Sequence, residues 1–202
     1  MLVWWLTLFV GAEPLNPLSI SLDREIEDQV LLSLQPLEVK QVDEILQSFE
    51  ETVFLSARVR YELGLRYYQG NNLSAAEIEY QEALKIDSEY APALYDLAEI
   101  LLIRGEIALA KQHFTTLQQQ VHQHWAVSYR LAQISAGERQ TKQMEMYLKR
   151  ALREGMPSQI LIDDKVQWQS YLQQSDVALS MEFFLSALGH DSIWKELRPV
   201  SK

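Results

Sequence analysis

An all-α fold is what this 202-residue chain predicts, on three grounds. The composition is 48% hydrophobic with only 7 glycines and 6 prolines, too apolar for disorder and too poor in turn residues for a fold of many short strands. From Tyr61 through Tyr68 and from Ala76 through Leu84, apolar residues fall at i, i+3, i+4, i+7 spacing, which gives a helix one buried stripe. Written in rows of 34, the middle of the chain aligns with itself.

The elements follow in order. Met1 to Val10 is an apolar run ending in Gly11-Ala12, at about 1.5 Å per residue too short as a helix for a hydrocarbon core of about 30 Å. Residues 1–12 are expected to be a secretory signal, although no Lys or Arg precedes Arg24; the alternative is a buried N-terminal element of a cytoplasmic protein. Residues 13–56 form an acidic helical segment, with Ser21 or Asp23 as a cap, Pro36 as an interruption, and Val39, Val42, Leu46 and Phe49 marking a second amphipathic stretch.

Three rows occupy 57–157, as 57–90, 91–124 and 125–157. Column 7 reads Leu63, Leu97, Leu131 and column 8 reads Gly64, Ala98, Ala132, a small residue behind each leucine. Column 20 holds Ala76, Ala110 and Met144, column 24 holds Tyr80, Phe114 and Leu148, and column 27 holds Ala83, Leu117 and Ala151. Gly70-Asn71, Gly105 and Gly137 are expected where helices end and the backbone visits positive φ, and Ala91-Pro92 where a helix begins. Residues 158–202 supply capping helices: Ile160 to Gln173, then Val177 to Leu188 behind Ser175-Asp176, ending at Gly189, with a short turn from Ser192 to Leu197. Ser180, Phe184 and Ala187 imitate columns 20, 24 and 27, but two residues out of phase, so this pair is expected to be a cap rather than a fourth unit.

These residues resemble the tetratricopeptide repeat, a 34-residue helix–turn–helix. The likeness covers about half the chain and is best in the first row, at Leu63-Gly64, Tyr67-Tyr68, Ala76, Tyr80 and Ala83-Leu84. It implies a right-handed superhelical stack with flanking capping helices, because one hairpin cannot bury its stripe alone. The resemblance also implies that columns 2, 5, 9, 12 and 13 of the first helices line a concave groove. On this chain those columns bring Arg58, Tyr61, Leu65, Tyr68 and Gln69 from the first row, Tyr95, Glu99, Leu102 and Ile103 from the second, and Tyr129 and Gln133 from the third. Three tyrosines in column 5 would suit an extended peptide or an amphipathic helix, each ring wide and costing little entropy; the alternative is that they pack helix on helix. A lysine- and asparagine-based clamp for a C-terminal carboxylate is absent from the corresponding columns, where only Arg58 and Arg130 are basic.

Charge and motifs narrow the function further. Eighteen basic against 28 acidic residues give a net charge of −10, which repels phosphate backbones and anionic membranes. Residues 1–56 carry 10 acidic and 2 basic residues, 57–156 carry 12 and 12, and 157–202 carry 6 and 4. No cysteine is present for a disulfide, a thiolate metal site or a nucleophile, and no phosphate-binding loop, nucleophile elbow, zincin or EF-hand motif occurs. His113, His122 and His124 are close in sequence, but i and i+2 on a helix point apart. Asp163-Asp164 suits a helix N-terminal turn better than acid–base chemistry. Trp125, Trp168 and Trp194 are expected in packing. The chain is therefore expected to be a non-enzymatic scaffold with no cofactor, metal or small-molecule substrate. Its partner would be another protein or peptide, with membrane association only indirect or through an uncleaved N-terminus. It is expected in the bacterial periplasm or envelope, with a cytoplasmic setting as the alternative. The competing reading is a self-associating structural component.

Overall fold

A computed structural model describes residues 56–120 and 124–199, together with Leu32 and Gln41. The expected signal, the acidic helical segment before Ser56 and His122 lie outside the described residues. Among the described residues there are ten helices and no strand, so the all-α expectation holds. They divide into two compact units, residues 1–97 and 98–202.

In the first unit, α1 (Ala57–Gln69) pairs with α2 (Leu73–Ile86), and α3 (Ala91–Ile103) begins before the division and continues past it. Ser56 opens α1 by accepting the Val59 N–H at 3.3 Å, and Asn72 opens α2 by accepting that of Ala75 at 3.2 Å, each satisfying a donor the helix leaves over. Between them Asn71 sits at φ 59°, and the Asn72 N–H reaches back to the Tyr67 carbonyl at 2.8 Å. The predicted stripes are buried: Leu63, Gly64 and Tyr67 on α1, Ala76, Tyr80 and Ala83 on α2. Gly64 marks where the two helices come closest, since a Cβ there would lie 2.4 Å from Tyr80 Cε1 and 3.2 Å from the Ala76 carbonyl oxygen. Only glycine fits that crossing.

The second unit holds α4 (Ile107–Gln120), α5 (Trp125–Gly137), α6 (Thr141–Arg153), α7 (Gln159–Asp163), α8 (Lys165–Tyr171), α9 (Ser175–Ala187) and α10 (Asp191–Leu197). Its core gathers Tyr129, Ala132 and Ala136 of α5, Met144, Leu148 and Ala151 of α6, and Leu161, Trp168, Met181, Leu185 and Leu197 beyond. First helices begin at 57, 91, 125 and 159 and second helices at 73, 107, 141 and 175, intervals of 34 throughout. The C-terminal pair therefore keeps the beat of the rows, and α10 packs over it.

Several local expectations change. The helix expected from Ile160 to Gln173 is two, broken at Asp164, and together α7 and α8 span 159–171, matching the 13 residues of α1. The stripe buried on α9 is Val177, Met181, Phe184 and Leu185; of the three residues that imitated the columns only Phe184 lies on it, Ser180 being half-buried and Ala187 exposed. Gln174, not Ser175 or Asp176, occupies the N-cap position of α9. Gly105 has φ 78° as expected, but Gly137 is the last residue of α5 and Gly70 has φ −77°. After the first helices the left-handed positions are Asn71, Gly105 and Arg139, again 34 apart, so location in the repeat, not residue type, selects them; Gly155 and Gly189, themselves 34 apart, follow α6 and α9. Left-handed backbone costs a non-glycine residue roughly 1–3 kcal/mol, which the surrounding hairpin overcomes at Arg139.

Candidate functional site

The column-5 tyrosines are expected either to face a ligand or to pack helix on helix, and the structure favours packing for Tyr61 and Tyr129. Tyr61 is half-buried, its ring stacked on Tyr80 with centroids 5.6 Å apart and set edge-on to Tyr90 at 5.7 Å. Its hydroxyl lies close to the Asp96 carboxylate on α3. Burial, followed by the nearby Asp96 charge, pushes the Tyr61 phenol well above its ordinary range. Burial likewise raises the Asp96 carboxyl, while the hydroxyls of Tyr61 and Tyr80 act in the opposite direction. The Tyr80 hydroxyl is buried within the field of Asp96 yet makes no hydrogen bond of ordinary geometry.

Tyr129 is only 3% exposed, so it is no part of an open groove wall. Trp168 Nε1 donates to its hydroxyl oxygen at 2.8 Å, and the hydroxyl in turn donates to Asp164 Oδ2 at 2.8 Å. Burial raises the Tyr129 phenol far above its usual range; the Trp168 donor lowers it and Asp164 raises it further. Gln133, the other third-row groove candidate, is buried too, donating through Nε2 to Asp164 Oδ2 at 3.3 Å. Arg130 completes the chain, donating to Gln133 Oε1 and to Glu99 Oε1, each at 2.7 Å.

A rule emerges that the rows did not display. Tyr61 faces Asp96 and Tyr129 donates to Asp164, so in both cases the tyrosine meets a carboxylate 35 residues later, in the first-helix segment of the following hairpin. Corresponding to these aspartates, residue 130 is the arginine that pairs with Glu99. The tyrosines thus fasten successive hairpins, and Asp96 and Asp164 are the functional partners that sequence reasoning missed. The available signal was a carboxylate in column 6 after a tyrosine in column 5. Asp164 precedes α8 but makes no side-chain cap, so the helix-dipole role expected for it gives way to the bonds from Tyr129 and Gln133. Asp163 is exposed and accepts from Gln159.

The remaining groove candidates divide by exposure. Arg58, Leu65, Tyr95, Glu99 and Leu102 are half-buried, whereas Gln69 is exposed, Tyr68 is 38% exposed and Ile103 is 57% exposed. Burial lowers the pKa of His113, and His124 is exposed. Among the described residues no group of three or more His, Asp or Glu side chains could hold a metal ion. No described helix is long and apolar enough to cross a membrane. Trp168 is fully buried and Trp125 and Trp194 pack against the second unit's core, as expected.

No protein-family model and no curated protein matches the chain. Among solved structures, PilF of Pseudomonas aeruginosa, a protein containing tetratricopeptide repeats, is similar in fold with a TM-score of 0.54. The two are 17% identical over 86% of this chain and 88% of that one. The likeness supports the repeat architecture read from the rows.

Proposed function

We propose that this chain is a non-enzymatic protein-interaction scaffold whose first helices offer their outer columns to a peptide or helix of a partner. The carrying observation is that large side chains in columns 12 and 13, Tyr68 and Ile103, stand in water while neighbouring column-5 tyrosines are occupied in fastening hairpins. An exposed Tyr or Ile on a rigid helix presents contact area with little further ordering, so the scaffold's own folding has met much of the entropic cost of binding. Arg58, Leu65, Gln69 and Tyr95 would accompany Tyr68 in the first unit, and Glu99 and Leu102 would flank Ile103 in the second. Peptide selection on the full chain tests this reading. Each selected peptide should be weakened about tenfold by Tyr68→Ala or by Ile103→Ala, and affinities unchanged by both substitutions would overturn it.

Export to a bacterial envelope compartment belongs to the same proposal, resting on the apolar stretch from Met1 to Val10 and the small residues after it. Fractionation of cells carrying a C-terminally tagged chain checks it; recovery in the cytoplasm alone would count against export.

A further inference from the structure

Within the second unit, the second helices α6 and α9 carry a different surface. Two contacts hold α6 and α9 side by side: Arg139, just before α6, donates through Nε and Nη2 to the Asp176 carboxylate at 3.1 Å, and Ser180 hydrogen-bonds to Glu145. Because 139 meets 176 and 145 meets 180, the helices run parallel, with Lys149 one turn beyond Glu145 on α6 and Phe183 one turn beyond Ser180 on α9. The buried stripes of both helices face the core, so their outer faces form one continuous surface.

That surface is unlike the rest of an acidic chain. Its middle is apolar, with Met146 53%, Leu179 55% and Phe183 73% exposed. Its α6 side carries Lys142, Lys149 and Arg153, all exposed and none in an ion pair with a described residue. Lys142, Met146, Lys149 and Arg153 share one face of α6 because they recur at helical spacing. Glu182, the exposed acid of α9, lies on the edge away from α6. Large apolar groups at the centre of a patch with cations beside them are the make-up of a binding site, since the apolar anchors supply affinity and the charges select the partner.

We propose that the outer face of α6 and α9 docks an acidic amphipathic helix from a partner protein, whose apolar residues cover Phe183, Leu179 and Met146 and whose carboxylates meet Lys142, Lys149 and Arg153. The complementarity of charge argues for this occupant: three unpaired cations on a chain of net charge −10 favour a carboxylate-rich ligand locally, whereas the whole-chain charge disfavours an anionic membrane. The site goes beyond the first-helix reading and does not depend on it.

The test uses the full chain and a fluorescein-labelled 18-residue designed helical peptide with leucines on one face and glutamates flanking them, alongside a twin with lysine at every glutamate. Anisotropy should show saturable binding of the glutamate peptide only, weakened about tenfold by Phe183→Ala and by Lys149→Glu/Arg153→Glu, and unaffected by Tyr68→Ala. These positions are exposed, and circular dichroism confirms that the variants stay folded. Equal binding of the lysine twin, or indifference to the α6 and α9 substitutions, overturns the proposal. So does a dimer in sedimentation that Phe183→Ala dissociates, or binding to phosphatidylglycerol vesicles that the same change abolishes, since a second copy or a lipid surface would then be the occupant.

Discussion

Replacing Tyr129 by Phe removes one oxygen atom from the second unit and keeps the ring. The ring's contacts persist, with centroids 6.5 Å from Trp125 and 6.2 Å from Trp168, so apolar burial is nearly unchanged. Two hydrogen bonds of 2.8 Å disappear. Trp168 is fully buried, leaving its N–H without an acceptor, and stranding such a donor costs about 1–3 kcal/mol. Asp164 keeps the Gln133 donor at 3.3 Å but loses the shorter one. A bond to a carboxylate is worth about 1.5–3 kcal/mol, and because the two losses share one hydroxyl they do not simply add. The expected destabilisation is about 2–4 kcal/mol. Urea titration followed by circular dichroism and by tryptophan fluorescence measures it, with Tyr147→Phe as the control expected within about 0.5 kcal/mol of the parent. If Tyr129→Phe unfolds at the parental midpoint with the parental slope, the hydroxyl is not a fastener and the argument fails.

Gly64→Ala gains about 1 kcal/mol of helix propensity but forces a methyl group to 2.4 Å from the buried Tyr80 ring. Overpacking of about 1–3 kcal/mol should leave a net loss of stability; in a Tyr80→Leu background, where the Ala76 carbonyl oxygen at 3.2 Å remains, the loss should shrink, and a loss of equal size in both backgrounds by urea titration would refute the crossing. For Asp96, burial raises the folded pKa, so the folded state disfavours its charged form. The stability it contributes is fully present below the unfolded-state pKa and is lost as pH rises through the folded one. Parent stability relative to Asp96→Asn should therefore increase on acidification across the carboxylate range, and a flat or opposite difference between their denaturation curves would contradict the burial argument.

The fold was legible because helix signals are local and the period repeats them. Leu63, Leu97 and Leu131 reveal the register, and each hairpin is specified within its own row. The groove was only partly legible, since the fate of Tyr61 and Tyr129 depends on a residue 35 positions later that no single row contains. Composition also misled at the third turn, where Gly137 seemed the obvious left-handed residue and Arg139 takes that role. There the position within the hairpin outweighs the preference of the side chain. The break at Asp164 was hidden for a similar reason: its carboxylate is claimed by Tyr129 and Gln133 on another helix.

The fasteners also set a timetable for the nascent polypeptide. Tyr61 and Tyr129 each leave the ribosome well before the aspartate that faces the hydroxyl, so that hydroxyl stays idle until the next hairpin emerges. Synthesis halted between Tyr129 and Asp164 would leave the indole of Trp168 still unmade and the ring of Tyr129 without its seat. At these two junctions closure therefore proceeds in the direction of translation, the later hairpin latching the earlier.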